Sequence, residues 1–169
     1  KVMGARDEYL AFWIGHLLLN YAIEHQLGTV FGSQGPVRLR PGLVRMPDVS
    51  FFRWDSVEDP DSLENPPGAF LDIPPDLAVE VLSPSNTPAE MKLKLGEYAQ
   101  AGVKLVWFVD PELKEVSVFP KARERGKKVL GESDTLDGGK VLPGFILPVA
   151  KIFEKRAPAA DKRTGRKKR

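Results

Sequence analysis

The chain has 169 residues, of which 42% are hydrophobic, 28% charged and 9% aromatic, with a formal net charge of +2. That length suits one compact domain of roughly 100–200 residues, and the composition excludes a disordered polar chain and a membrane protein. The lack of cysteine excludes disulfides, thiol nucleophiles and thiolate zinc sites, and fits a reducing cytoplasm. The near-neutral total conceals an uneven distribution. Residues 154–169 hold eight Lys/Arg against two Asp/Glu, whereas residues 45–90 hold ten acids against Arg45 and Arg53, so a cation would settle in the middle third.

In chain order, Leu10, Trp13, Ile14, Leu17, Leu18, Tyr21 and Ala22 recur at helical spacing up to Gly28, which predicts a long first helix over 7–27. Its apolar run at 10–23 falls short of the about twenty residues a spanning helix needs, so no membrane is expected. Residues 29–52 break into short alternating runs divided by Gly and Pro, with a turn at Pro41-Gly42, and predict three strands in a meander. Residues 55–75 are rich in Pro, Asp, Gly and Asn and read as a long irregular connection of the kind that often serves function.

The segment DLAVEVLS at 76–83 reads as a strand apolar on both faces except at Glu80, the pattern of a central covered strand. A carboxylate there needs a partner. Ser85, Asn86 and Thr87 before Pro88 make a helix start, Met91, Leu93, Leu95, Tyr98 and Ala99 give the helix, and Gly102 stops it. KLVWFV at 104–109 is a second apolar strand, so strand, helix and strand form a crossover with parallel neighbours. Further strands are predicted at 115–119, near 127–130 and at 140–148, then an apolar turn at 149–153. The reading is therefore an α/β chain, an α+β mixed sheet with one domain over 1–153 and a basic, solvated tail over 154–169.

Four segments carry the chemistry: MPDVSFF (46–52), PPDLAVEVLSPS (74–85), KLKLGEY (92–98) and AGVKLVWFVDP (101–111). Asp76 and Glu80 share a strand face about 13 Å apart at ~3.3 Å per residue, too far for both to bind one ion directly. Of the candidate metal ligands Asp48, Asp76 and Glu80, Glu80 is therefore surer than Asp76. Asp48, fixed after Pro47, approaches Glu80 if their strands are neighbours, and two converging carboxylates repel unless a divalent cation or a proton lies between them. Mg²⁺ or Mn²⁺ suits such oxygen ligands.

In these four segments the sequence resembles the Uma-two family of restriction-endonuclease-like proteins, within the PD-(D/E)xK nuclease superfamily, over about residues 5–120. The resemblance implies a restriction-endonuclease-like core and assigns the aspartate of the PD motif to Asp48 and the second acid to Glu80. The position two after Glu80 is Leu82, so the lysine of the simple pattern is missing from the strand; the family's lysine on the following helix matches Lys94, with Lys92 a substitute. Glu8 resembles an acid that some superfamily members supply from the first helix, and Tyr98 is a support for the site. The implied activity is Mg²⁺- or Mn²⁺-dependent hydrolysis of phosphodiester bonds in DNA. The alternative is a nucleic-acid-binding or regulatory module on the same fold that cuts nothing. A homodimer is compatible with this reading, because duplex cleavage calls for two sites and the apolar first helix offers a surface.

Overall fold

The computed structural model describes residues 4–155. Its first element is helix α1 (Ala5–Glu24), which buries Leu10, Ala11, Ile14, Leu18 and Ala22, the i, i+4 stripe expected of a helix lying on a sheet. Strand β1 (Gly28–Gly32) follows and pairs antiparallel with β4 (Val49–Arg53). Between them, β2 (Val37–Arg40) and β3 (Leu43–Arg45) form a separate two-stranded hairpin around Gly42, whose φ of 79° supplies the left-handed turn. The expected three-strand meander is thus corrected to four strands, two of which leave the sheet. The reason lies in the charged alternation of VRLR: only Val37 and Leu39 are buried, and the free edge of β2 is taken by the long connection, through Arg38 N–H to Leu71 O and Leu71 N–H to Pro36 O.

That connection holds a short 3₁₀ turn (Trp54–Ser56) and a one-turn helix α2 (Asp61–Glu64). Strand β5 (Leu77–Val81) comes next, every residue of it buried, then helix α3 (Pro88–Ala101). The Thr87 hydroxyl accepts from Glu90 N–H at 3.1 Å, Pro88 occupies the first turn, and Gly102 closes the helix at φ 88°. Strand β6 (Leu105–Asp110) pairs parallel with β5, as the strand–helix–strand pattern requires, and β7 (Glu115–Pro120) and β8 (Lys128–Leu130) add antiparallel neighbours. The mixed sheet runs β1-β4-β5-β6-β7-β8.

The strand expected over 140–148 is also corrected. Two short strands, β9 (Thr135–Asp137) and β10 (Ile146–Pro148), pair with each other, because the 138–145 stretch turns back on itself through Leu142 N–H to Gly138 O, with Gly144 at φ 80°. Helix α4 (Ala150–Phe153) ends the described fold. The predicted tail falls outside the described residues from 156 onward.

Side-chain alternation splits the interior in two. Val49, Phe51, Leu77, Val79, Val81, Trp107 and Val109 pack under α1, α4 and the β9–β10 ribbon, whereas Phe52, Ala78, Val106 and Phe108 pack under α3 and the β2–β3 hairpin. This period of two aims Glu80 at the α3 face.

Candidate functional site

Glu80 is 4% exposed, within a strand whose other four residues are apolar. Its carboxylate is held by two side chains one turn apart on α3: Lys94 Nζ donates to Oε2 at 2.8 Å, and the Tyr98 hydroxyl donates to Oε1 at 2.5 Å. The i, i+4 spacing on a helix laid across the strand brings both to one point. Burial, then the charge of Glu80 and its hydrogen bond, and then the charge of Asp48 push the Tyr98 phenol well above its ordinary value, while Arg45 pulls the other way.

Asp48 lies at the mouth of the same spot. Strand β4 faces β5 in the register Val49↔Val79, Ser50↔Ala78, Phe51↔Leu77, and one more step places Asp48 opposite Glu80. The ladder stops there because Pro47 carries no N–H, and the Asp48 carboxylate closes it by accepting Val81 N–H at 2.6 Å. Directly opposed residues of an antiparallel pair keep their Cβ atoms about 4.5–5.5 Å apart. The register therefore sets Asp48 beside Glu80 on the neighbouring strand, with the Lys94 ammonium of α3 on the Glu80 carboxylate. One residue pair further in, Ser50 is fully buried and its Oγ has no hydrogen-bond partner among the described residues.

The remaining candidates are placed differently. Glu8 is exposed on α1 and accepts from Ser33 Oγ at 3.2 and 3.3 Å. Ser33 follows Gly32, the partner of Val49, so Glu8 stands at the Asp48 end of the sheet. Lys92 points to solvent from the exposed side of α3. Asp76, 3% exposed, sits at the opposite end of β5, where its carboxylate accepts Arg53 N–H at 2.8 Å and the Ser56 hydroxyl at 2.8 Å and pairs with Lys104 Nζ at 2.6 Å. The fold does not bring Asp76 to Asp48 and Glu80.

Two groups beside these carboxylates were not singled out from the sequence. Arg45, on β3, makes a bidentate pair with Glu97 of α3 at 2.7 and 2.8 Å, locking the hairpin to the turn that carries Lys94 and Tyr98. Lys104 serves Asp76. The signal for Arg45 is its place immediately before the Met-Pro-Asp turn; Lys104, in an apolar strand start, gives none.

The donor set is oxygen-only and hard: Asp48 and Glu80, with no group of three Asp, Glu, His or Cys side chains able to hold a metal among the described residues. Two carboxylates fall short of the four protein ligands that a structural zinc takes. No helix among the described residues is long and apolar enough to cross a membrane.

Comparison with known proteins follows the same line. A family model described as "Uma2: Putative restriction endonuclease" matches residues 1–150. A solved structure, titled as a putative nuclease belonging to DUF820 from Anabaena variabilis, is similar with a TM-score of 0.75 at 16% identity, covering 90% of this chain and 83% of that one; at that identity the likeness shows the fold. No curated protein matches. The chain belongs to the Uma2 family of restriction-endonuclease-like proteins.

Proposed function

We propose that the chain is a Mg²⁺- or Mn²⁺-dependent endonuclease that hydrolyses phosphodiester bonds in DNA. The observation that carries this reading is the meeting of Asp48 and Glu80 across the β4–β5 ladder with Lys94 on the Glu80 carboxylate; family membership supplies the class of reaction. Asp48 and Glu80 are the residues that would hold the cation. When bound there, such an ion offsets charge on the scissile phosphate and lowers the pKa of a water.

The chain's own groups do the positioning. Tyr98 fixes one oxygen of Glu80 and so orients the other toward Lys94. Lys94, whose side chain is 22% exposed, reaches to Glu80 from α3 and so stands in for the strand lysine of the simple motif, whose position is Leu82 in this chain. Its ammonium can slide from Glu80 to a phosphate oxygen, where it favours the added negative charge of the five-coordinate transition state. Glu8 adds a further acid at the rim. Asp76, with three donors already, is assigned to structure.

The test is plasmid nicking by the full chain in Mn²⁺ or Mg²⁺, against chelator and against Glu80→Ala. Cation-dependent nicking that Glu80→Ala loses is the expected result; a wild-type protein that binds DNA without nicking it in either cation overturns the reading. That outcome would support the second reading, a nucleic-acid-binding module that cuts nothing, which the absence of a three-acid cluster among the described residues favours.

A further inference from the structure

A deep hollow lies away from the carboxylate site. Its volume is about 790 Å³, and neither Asp48, Glu80, Lys94 nor Tyr98 lines it. It opens at the Asp76 end of β5, between the β6–β7–β8 edge of the sheet and the turn after β9. Small-molecule sites span roughly 300–1,000 Å³ and combine an apolar wall with a few placed polar groups. Here Leu105, Val118, Leu130 and Val141 form the wall.

The rim is cationic. Arg53, Lys104, Lys121, Lys128 and Lys140 line it against only two carboxylates, Asp55 and Asp137. Two of the five are already matched: the Arg53 guanidinium donates to Asp55, and Lys104 pairs with the buried Asp76. Lys121, Lys128 and Lys140 come from three separate segments, the end of β7, β8 and the turn after β9, and none makes an ion pair among the described residues. Like charges gathered over low-dielectric walls concentrate a positive field that draws an anion. An inorganic ion would leave the apolar wall unused, whereas a flat apolar body with an anionic end uses both. Thr135 and the Asp137 carboxylate supply hydrogen-bond partners for hydroxyls on such a body.

We propose that this cleft binds a nucleoside phosphate, its base on the Leu105–Val118–Val141 wall and its phosphate among Lys121, Lys128 and Lys140. The site is independent of the nuclease reading, because no residue of the carboxylate site takes part.

Equilibrium binding of AMP, adenosine and inorganic phosphate to the full chain tests it. AMP is expected to bind at least tenfold more tightly than adenosine or phosphate, and its affinity to fall as salt rises. The triple variant Lys121→Glu, Lys128→Glu, Lys140→Glu should lose AMP binding at least tenfold, and Thr135→Trp, which fills the hollow without altering a lysine, should lose it as well. The basic segment 154–169 is present in every protein compared, so it cannot account for these differences. Glu80→Ala should bind AMP as wild type does, whatever it does to nicking. Adenosine or phosphate binding as tightly as AMP, unchanged affinity in either cleft variant, or loss of binding in Glu80→Ala would each overturn the proposal.

Discussion

At one end of β5 the Glu80 carboxylate meets Lys94 and the Tyr98 hydroxyl; at the other, the Asp76 carboxylate meets Lys104, the Ser56 hydroxyl and Arg53 N–H. Both acids are almost fully buried and both are paired with a lysine. Their surroundings separate them. Asp76 ties together the end of β4, the turn after it and the start of β6, and each donor comes from a different segment. Glu80 has instead a second acid, Asp48, on the neighbouring strand, and both its donors come from one helix. A buried carboxylate satisfied by scattered donors is a clamp, since removing any partner leaves a desolvated charge. Two carboxylates opposed across a ladder concentrate negative charge that a divalent cation relieves.

The largest expected effect that could break this contrast comes from the two lysines. If the ends differ as argued, Lys94→Ala should lower the nicking rate by a factor on the order of 100 to 1,000, the usual effect of removing one group that stabilises transition-state charge. Lys104→Ala should leave that rate within about threefold at matched folded protein, because Asp76 keeps its hydroxyl and backbone donors. Initial rates under saturating Mn²⁺ decide the matter. Equal losses in the two variants would mean that the Asp76 end takes part in the chemistry.

How much of this was legible in the sequence follows from which contacts are local. Helix α3 could be read because its cap, its first-turn proline and its closing glycine are adjacent in the chain, although Leu93, counted with its apolar residues, is 60% exposed. Glu80 stood out because a charge within LAVEV contradicts its neighbours. The approach of Asp48 to Glu80 required the β4–β5 register, which periodicity cannot supply; the residues offered it only on the condition that their strands are neighbours. Asp76 could not be assigned to structure from the sequence, because Ser56 lies in an aperiodic connection and Lys104 beyond a helix. The β2–β3 hairpin leaves the sheet although VRLR and LVR alternate as sheet strands do, because β2 pairs with Leu71 of the long connection, a contact that alternation does not encode.

The second expected effect sharpens the clamp. Asp76→Ala strips Arg53 N–H of its acceptor in a part-buried position and frees Lys104 and Ser56. A buried donor left without a partner costs about 1–3 kcal/mol. Lys104, with a side chain 55% exposed, can turn to water and adds little. Urea unfolding should therefore show stability lower by about 2 kcal/mol with an unchanged slope. The metal dependence of nicking should stay as in wild type, and a shifted Mn²⁺ requirement would instead place Asp76 in the cation's shell.

The smallest effect concerns Tyr98 and appears only in alkali. Its phenol is buried and held protonated well above the ordinary value by burial and by the negative charge of Glu80 and Asp48, while in the unfolded chain it ionises near about pH 10. A group whose folded-state pKa is raised contributes stability that is fully present below the unfolded value and lost as pH rises. Above about pH 10 the unfolded chain therefore releases a proton that the folded chain retains, and stability should fall by roughly 1 kcal/mol per pH unit from this residue. Tyr98→Phe removes that slope, and at neutral pH it costs about 1–2 kcal/mol for the lost hydrogen bond to a charged acceptor. Denaturant melts of both proteins between pH 8 and about 11 give the comparison directly. Parallel curves for the two would show that Glu80 does not depend on this phenol, and Lys94 alone would then have to orient the carboxylate.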